Sequence, residues 1–111
     1  MGRGKHLGEL EAMVLAAVVR AGAGAHGTAV YDAIEASTGR DPTLPAVHVT
    51  LRRLDEKGLV TSRVGEVSPR GGRPRRHYRL TDEGAERLRE CREMWRRVWS
   101  GLEIPETGGT P

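Results

Sequence analysis

Residues 59–80 read LVTSRVGEVSPRGGRPRRHYRL, and this stretch decides the fold. Residues 59–64 are few, rich in β-branched side chains and followed by Gly65, so the pattern predicts a β-strand. Residues 75–80 predict a second strand that pairs with the first in antiparallel fashion, because the segment between them contains the glycine and proline of a hairpin loop. The stretch therefore predicts a β-hairpin.

The same stretch concentrates the positive charge of the chain. Positions 63 to 79 hold six arginines and one acid, Glu66, a local charge of +5, whereas the 111-residue chain carries only +3. A patch of guanidinium groups on a loop is the electrostatic signature of a phosphate-backbone contact, but a solvated basic loop has the same composition. The elements around the loop decide between these two interpretations.

Three helices are predicted before the hairpin. Apolar residues spaced by three and four predict the first from Leu7 to about Ala21. Capping residues and glycines mark the ends of the next two: Thr28 and Gly39 for the second helix, Thr43 and Gly58 for the third. Pro45 falls in the first turn of the third helix, where a missing N–H costs nothing.

One longer helix is predicted after the hairpin, capped by Thr81 and ending near Leu102. The resulting order is helix, helix, helix, strand, loop, strand, helix. It predicts an α+β, mostly helical protein, a winged helix-turn-helix with one helix added. We expect a DNA-binding domain over residues 7–81, the added helix over 82–102 and a flexible tail over 103–111.

In a helix-turn-helix, the second helix of the motif enters the major groove, and here that is the third helix of the chain. Its predicted apolar stripe is Leu44, Val47, Leu51 and Leu54. The cap and the side predicted to face DNA comprise Thr43, Pro45, Ala46, His48, Val49, Thr50, Arg52 and Arg53. These residues suit thymine-methyl contacts and hydrogen bonds to bases or phosphates. An ordinary surface helix has a similar composition, and the basic hairpin that follows is what favours DNA.

The hairpin loop supplies the second predicted DNA contact. Arginine is favoured against the phosphate backbone and in the minor groove, where the potential is negative. The residues predicted to act there are Arg70, Gly72, Arg73, Arg75 and Arg76.

Other classes of function find little support. The four histidines lack metal-ligand spacing with Cys91 or the acids, and no nucleophile–base pair is visible, so neither an enzyme nor a cofactor is predicted. The single cysteine fits a reducing cytoplasm. The longest apolar run, residues 12–19, is too short to span a bilayer, so a cytoplasmic protein without a membrane partner is expected.

Three segments resemble the PadR-type bacterial transcriptional regulators: residues 7–11 (LGELE), 46–60 (AVHVTLRRLDEKGLV) and 71–84 (GGRPRRHYRLTDEG). The resemblance extends over roughly residues 7–90, and the last two segments are specific in combination. It implies a homodimeric winged-helix repressor on double-stranded DNA, with the first and last helices forming the dimer. The residues expected at that interface are Leu10, Val14, Leu88, Cys91, Trp95, Val98, Trp99 and Leu102.

The chain differs from the usual pattern of these regulators at two positions, and its last predicted helix also carries two tryptophans. The family usually has an aromatic residue where His48 stands and often one where Thr28 stands. In some similar regulators, aromatic residues of the last helix bind flat hydrophobic ligands, so Trp95 and Trp99 are candidates for the lining of an effector pocket. Simple packing across the dimer interface is the favoured interpretation of the pair.

The predicted function is therefore that of a sequence-specific transcriptional regulator, a repressor acting as a homodimer on a pseudo-palindromic operator. Two alternatives stay open. One is a protein-interaction module on a winged-helix scaffold, which would hold a partner through the apolar stripe of its last helix. The other is a sensor gated by a small hydrophobic or aromatic effector.

Overall fold

The structure is a computed structural model, and it describes residues 6–65, 72 and 74–106. Within these residues the elements are α1 (Glu9–Ala21), a 3₁₀ turn (Gly22–Gly24), α2 (Gly27–Thr38), α3 (Leu44–Glu56), β1 (Val60–Val64), β2 (Arg76–Leu80) and α4 (Asp82–Trp99). The two strands pair antiparallel, from Val60 opposite Leu80 to Val64 opposite Arg76. The winged helix-turn-helix predicted from the sequence is confirmed.

The helix boundaries agree with the predicted capping residues in two cases and differ in one. The hydroxyl oxygens of Thr43 and Thr81 accept hydrogen bonds from Ala46 N at 3.3 Å and Gly84 N at 3.0 Å. However, α2 begins after His26 and not after Thr28. The reason is that the chain is still extended at His26, which forms an antiparallel bridge with His77 of β2. Helix formation can start only after that pairing ends.

The core lies between the first three helices and β1. Its fully buried side chains come from each of these elements: Val14, Leu15, Val30, Ile34, Val47, Leu51, Leu54 and Val60. Val14 was predicted at the dimer interface, but it is 0 % exposed within a single chain, so that prediction is wrong. Apolar spacing shows which side of a helix is buried without showing whether its own chain or a partner covers it.

The hairpin is hydrogen-bonded to its surroundings at both of its edges. Tyr78 N donates to the carbonyl of Ala25 at 2.8 Å, so the residues just before α2 act as a short third strand beside β2. On the opposite side, Ser62 of β1 donates to Asp55 of α3 at 2.7 Å. The position of the hairpin is therefore set by both helices of the helix-turn-helix.

The start of α4 is also fixed to the core. Thr81 Oγ1 donates to the carbonyl of Gly58 at 2.7 Å, and Gly84 is buried against the carbonyl of Leu59, where a Cβ atom would overlap it. Any larger residue at position 84 would push the helix away. The helix ends at Trp99, three residues before the predicted end, because Ser100 is extended and Gly101 has φ of +71°. Within the described residues, each helix is too short or too polar to cross a membrane.

Candidate nucleic-acid interface

One face of α3 is open to solvent and carries polar and cationic groups. Its exposed residues include Pro45, His48, Val49, Arg52 and Arg53, with Thr43 exposed at the N-cap and Ala46 half-buried beside them. All of these were predicted to face outward. Glu56, an acid at the end of α3, is also exposed on this face and was not predicted there. The opposite side of the helix is held in the core by Val47, Leu51 and Leu54.

Thr50 is the exception among the residues predicted to face DNA. It is 5 % exposed and packs with the core side of α3. At 3.6 residues per turn, position 50 lies only about 40° around the helix from Leu54, which is within the width of a typical apolar face. The prediction that Thr50 faces DNA is therefore wrong, because the buried side of α3 is wider than the predicted apolar stripe and includes Thr50.

A network of side chains holds the turn that leads into α3. Thr43 has φ of +71°, a conformation that costs a non-glycine residue on the order of 1–3 kcal/mol. Asp41 Oδ1 accepts from Thr43 N at 3.0 Å and from the Tyr31 hydroxyl at 2.7 Å. The hydrogen bond to Asp41 raises the pKa of Tyr31 to about 12, and the same bond lowers the pKa of Asp41. These contacts link α2 to the start of α3.

Tyr31 was not among the residues predicted for this site. Asp41, in contrast, stands two residues before Thr43, and an Asp side chain that bonds the backbone two residues on is a recognised turn signal. The Tyr31 contact crosses from another element and leaves no local signal.

His48 fits against the first turn of α2. A Cβ atom at Gly27 would collide with the His48 ring, whose Nδ1 would lie 2.8 Å from it. Gly27 is buried, so the histidine occupies space that only glycine leaves open. The ring therefore lies against the first turn of α2 at the edge of the exposed face of α3.

Two of the predicted hairpin arginines lie at the stem of the hairpin. Arg76 begins β2 opposite Val64, and the carbonyl of Arg75 accepts from Gly65 N at 2.7 Å. Both side chains are exposed, as is Gly72, whose φ of +97° favours glycine. Arg70 and Arg73 lie outside the described residues.

Each of the two stem arginines contacts a different helix or strand. Arg76 Nη1 donates to Ser62 Oγ at 3.1 Å, and through Ser62 it is linked to Asp55 of α3. Arg75 Nη1 lies 2.9 Å from Nε2 of His26, the residue that caps α2. Burial, then the nearby charges of Arg75 and His77, lower the pKa of His26. The stem thus presents two cations in defined positions, one linked to α3 and one to the start of α2.

A second open surface lies on the C-terminal half of α4 and the residues after it. Its large apolar side chains are between 45 % and 71 % exposed: Met94, Trp95, Val98, Trp99, Leu102 and Ile104. Met94 and Ile104 were not among the residues predicted for the dimer interface. Leu10 and Leu88 are half-buried against the core, and Cys91 is half-buried as well. We call the six exposed residues the α4 apolar face.

The other side of α4 is charged and paired along the helix. Glu93 binds both Arg96 at 2.6 Å and Arg97 at 3.4 Å, and Arg89 pairs with Glu86 at 3.7 Å. Because such ion pairs on an exposed helix are well solvated, this side needs no covering partner. The α4 apolar face, in contrast, exposes large apolar side chains to water, which is unfavourable.

Comparisons with known proteins agree with this architecture. The family model described as "Transcriptional regulator PadR-like family" matches residues 14–90. A PadR family transcriptional regulator from Eggerthella lenta is 28 % identical, with a TM-score of 0.65 over 84 % of this chain and 81 % of that one. A transcriptional regulator from Clostridium thermocellum has a TM-score of 0.66 at 21 % identity, over 80 % and 82 % of the two chains. No curated protein sequence gives a significant match.

Proposed function

This chain belongs to the transcriptional regulator PadR-like family, and we propose that it is a repressor that binds a pseudo-palindromic operator as a homodimer. The observation that supports DNA binding most directly is the exposed face of α3, with Arg52 and Arg53, beside a hairpin stem that carries Arg75 and Arg76. Arginines in such positions suit both base edges and phosphates. On this proposal, α3 reads sequence and the hairpin binds the backbone.

The α4 apolar face supports the homodimer. A contiguous exposed patch of this kind marks an interaction surface, and tryptophan is enriched at the centre of interfaces. We assign DNA binding to residues 7–81, dimerisation to α4 and its extension to residue 102, and a tail to residues 103–111. The two recognition helices of the dimer would then lie about 34–36 Å apart, one turn of DNA.

The same face is also a candidate effector site, although packing across the dimer interface is the favoured interpretation of its two tryptophans. Trp95 and Trp99 are 49 % and 52 % exposed and lie one turn apart. In a dimer, the two pairs would meet at the contact between the subunits and could hold a flat hydrophobic molecule between them. Quenching of tryptophan fluorescence by planar aromatics would support such a site, and no quenching across a panel would argue for packing only.

DNA binding can be tested with the purified protein and the region upstream of its own gene. Fluorescence anisotropy at several salt concentrations should give operator binding that is tighter than binding to a shuffled duplex of equal length, and that weakens steeply with salt. Footprinting should give two protected half-sites. If the protein binds neither duplex at low salt, the alternative of a protein-interaction module, which the α4 apolar face favours, replaces this proposal.

A further inference from the structure

His26 faces two hydrogen-bond donors at once. Its Nδ1 lies 3.4 Å from the backbone N–H of Ala29, in the position of a helix cap, and its Nε2 lies 2.9 Å from Nη1 of Arg75. A neutral imidazole has one nitrogen that accepts and one that donates. The ring therefore cannot accept from both groups, and the two hydrogen bonds exclude one another.

The geometry indicates which of the two bonds forms. The contact with Arg75 is the shorter one and has a cationic donor, whereas 3.4 Å is beyond the usual range for an N–H bond. In this arrangement Nε2 accepts from Arg75 and Nδ1 carries the proton. The cap of α2 is then left without its side-chain acceptor for as long as Arg75 stays on the ring.

The surroundings of the ring oppose a positive charge on it. Arg75 lies directly against it, His77 of β2 meets it edge to face with ring centroids 5.9 Å apart, and His48 of α3 contacts the adjoining Gly27. Asp32 of α2 is the acid that opposes these groups, and the net effect, led by burial, is a lowered pKa of His26. An imidazolium could not keep the contact with Arg75, because both groups would then be cationic donors.

Building on the proposed DNA binding, we infer that His26 is a positioning residue for Arg75. It holds the guanidinium at the hairpin stem in the free protein and releases it to a DNA phosphate, and the vacated Nε2 then takes up a proton from solvent. The arrival of phosphate replaces a nearby cation with an anion, which favours the imidazolium. DNA binding by this chain is therefore coupled to the uptake of one proton at His26.

The coupling predicts in which direction operator affinity changes with pH. Operator affinity of the wild type should increase as the pH falls from 8 to 6, by at most about tenfold for each unit that DNA raises the pKa of the ring. In His26→Asn the dependence should be lost, because asparagine also caps a helix but does not titrate. The matched controls His48→Asn and His77→Asn should keep it.

Each other outcome would overturn the inference. An equal pH dependence in His26→Asn would assign the proton to another group. Weaker wild-type binding at pH 6 would mean that Arg75 stays on His26 in the complex. No binding by the wild type at any pH would overturn the proposed function together with this inference, whereas binding with equal slopes overturns this inference alone.

A measurement on the free protein tests the starting state without DNA. Nitrogen-15 NMR shifts of the ring should show a protonated Nδ1 and an unprotonated Nε2 in the wild type. In Arg75→Ala the ring should change to the other tautomer, because Nδ1 is then free to accept from Ala29, while Arg76→Ala should leave it unchanged. A protonated Nε2 in the wild type would show that the contact with Arg75 does not form.

Discussion

The face of α3 with its hairpin stem and the α4 apolar face are both open to solvent, but their chemistry differs. The first carries Arg52, Arg53, Arg75 and Arg76 on elements that are tied to one another by hydrogen bonds. The second carries large apolar side chains on a helix that is fixed to the core only at its start. A polyanion can satisfy the first surface and a second apolar surface can satisfy the other. On the proposed function, the chain thus uses one surface to bind DNA and a separate surface to form the dimer.

The largest expected effect comes from the α4 apolar face. Trp95→Ala combined with Trp99→Ala should weaken dimerisation by about a thousandfold, because central tryptophans at interfaces each contribute roughly 2 kcal/mol or more. Operator affinity should fall with it, since one half-site is lost from each binding event. Sedimentation or light scattering measures the first effect and anisotropy the second. Arg97→Ala, on the charged side of the same helix, is the matched control and should remain dimeric.

The next effect concerns the hairpin stem. Arg75→Ala with Arg76→Ala should weaken binding to operator and shuffled DNA alike and lower the salt slope by about two, one for each phosphate contact. Arg63→Ala with Arg79→Ala removes the same charge from the strands. If this control variant lowers the salt slope as much as the stem variant does, the effect comes from net charge alone. The stem arginines then make no specific contact with phosphates.

A third prediction separates two residues of α3. Arg52→Ala should reduce the preference for operator over shuffled DNA by about 1–3 kcal/mol, as expected for a bidentate base contact. Thr50→Ala should leave that preference unchanged and lower the free energy of unfolding by on the order of 1 kcal/mol, since the side chain is buried. Loss of preference in Thr50→Ala at unchanged stability would contradict the assignment of Thr50 to the core.

The fold was predictable because its signals are local. Thr43 and Thr81 are capping residues, Gly39 and Gly58 end helices with positive φ, and the hairpin has its own composition. The family resemblance, confirmed over residues 14–90, reinforced these signals.

The errors have a different origin, in contacts between elements. Thr28 was a reasonable cap by type, but pairing with β2 keeps the chain extended up to His26. Val14 has the spacing of a buried position, yet its own chain covers it. The contacts of His26 with Arg75 and of Tyr31 with Asp41 join residues 49 and 10 positions apart, and no pattern within one element reveals them.

The smallest expected effect belongs to Tyr31→Phe, which removes the hydroxyl that bonds Asp41. Tyr31 has a raised pKa of about 12 in the folded chain, so its bond stabilises the fold up to about pH 10 and is lost as the pH rises towards 12. Asp41 has a lowered pKa, so the same bond is lost as the pH falls below about 4. Wild type should therefore be slightly more stable than Tyr31→Phe between these limits, and the two should converge outside them.

Urea unfolding across this pH range measures the difference. Tyr78→Phe removes the other tyrosine hydroxyl and is the control. Its free energy of unfolding should still decrease below about pH 4 as in the wild type, because the hydrogen bond between Tyr31 and Asp41 remains. Asp41 also accepts a hydrogen bond from Thr43 N, so Tyr31→Phe should loosen the start of α3. The preference for operator over shuffled DNA should then fall slightly. The salt dependence of DNA binding, to which the stem arginines contribute, should stay unchanged. A variant that lost affinity for all DNA equally would show that the turn before α3 supports the whole surface and not the recognition helix alone.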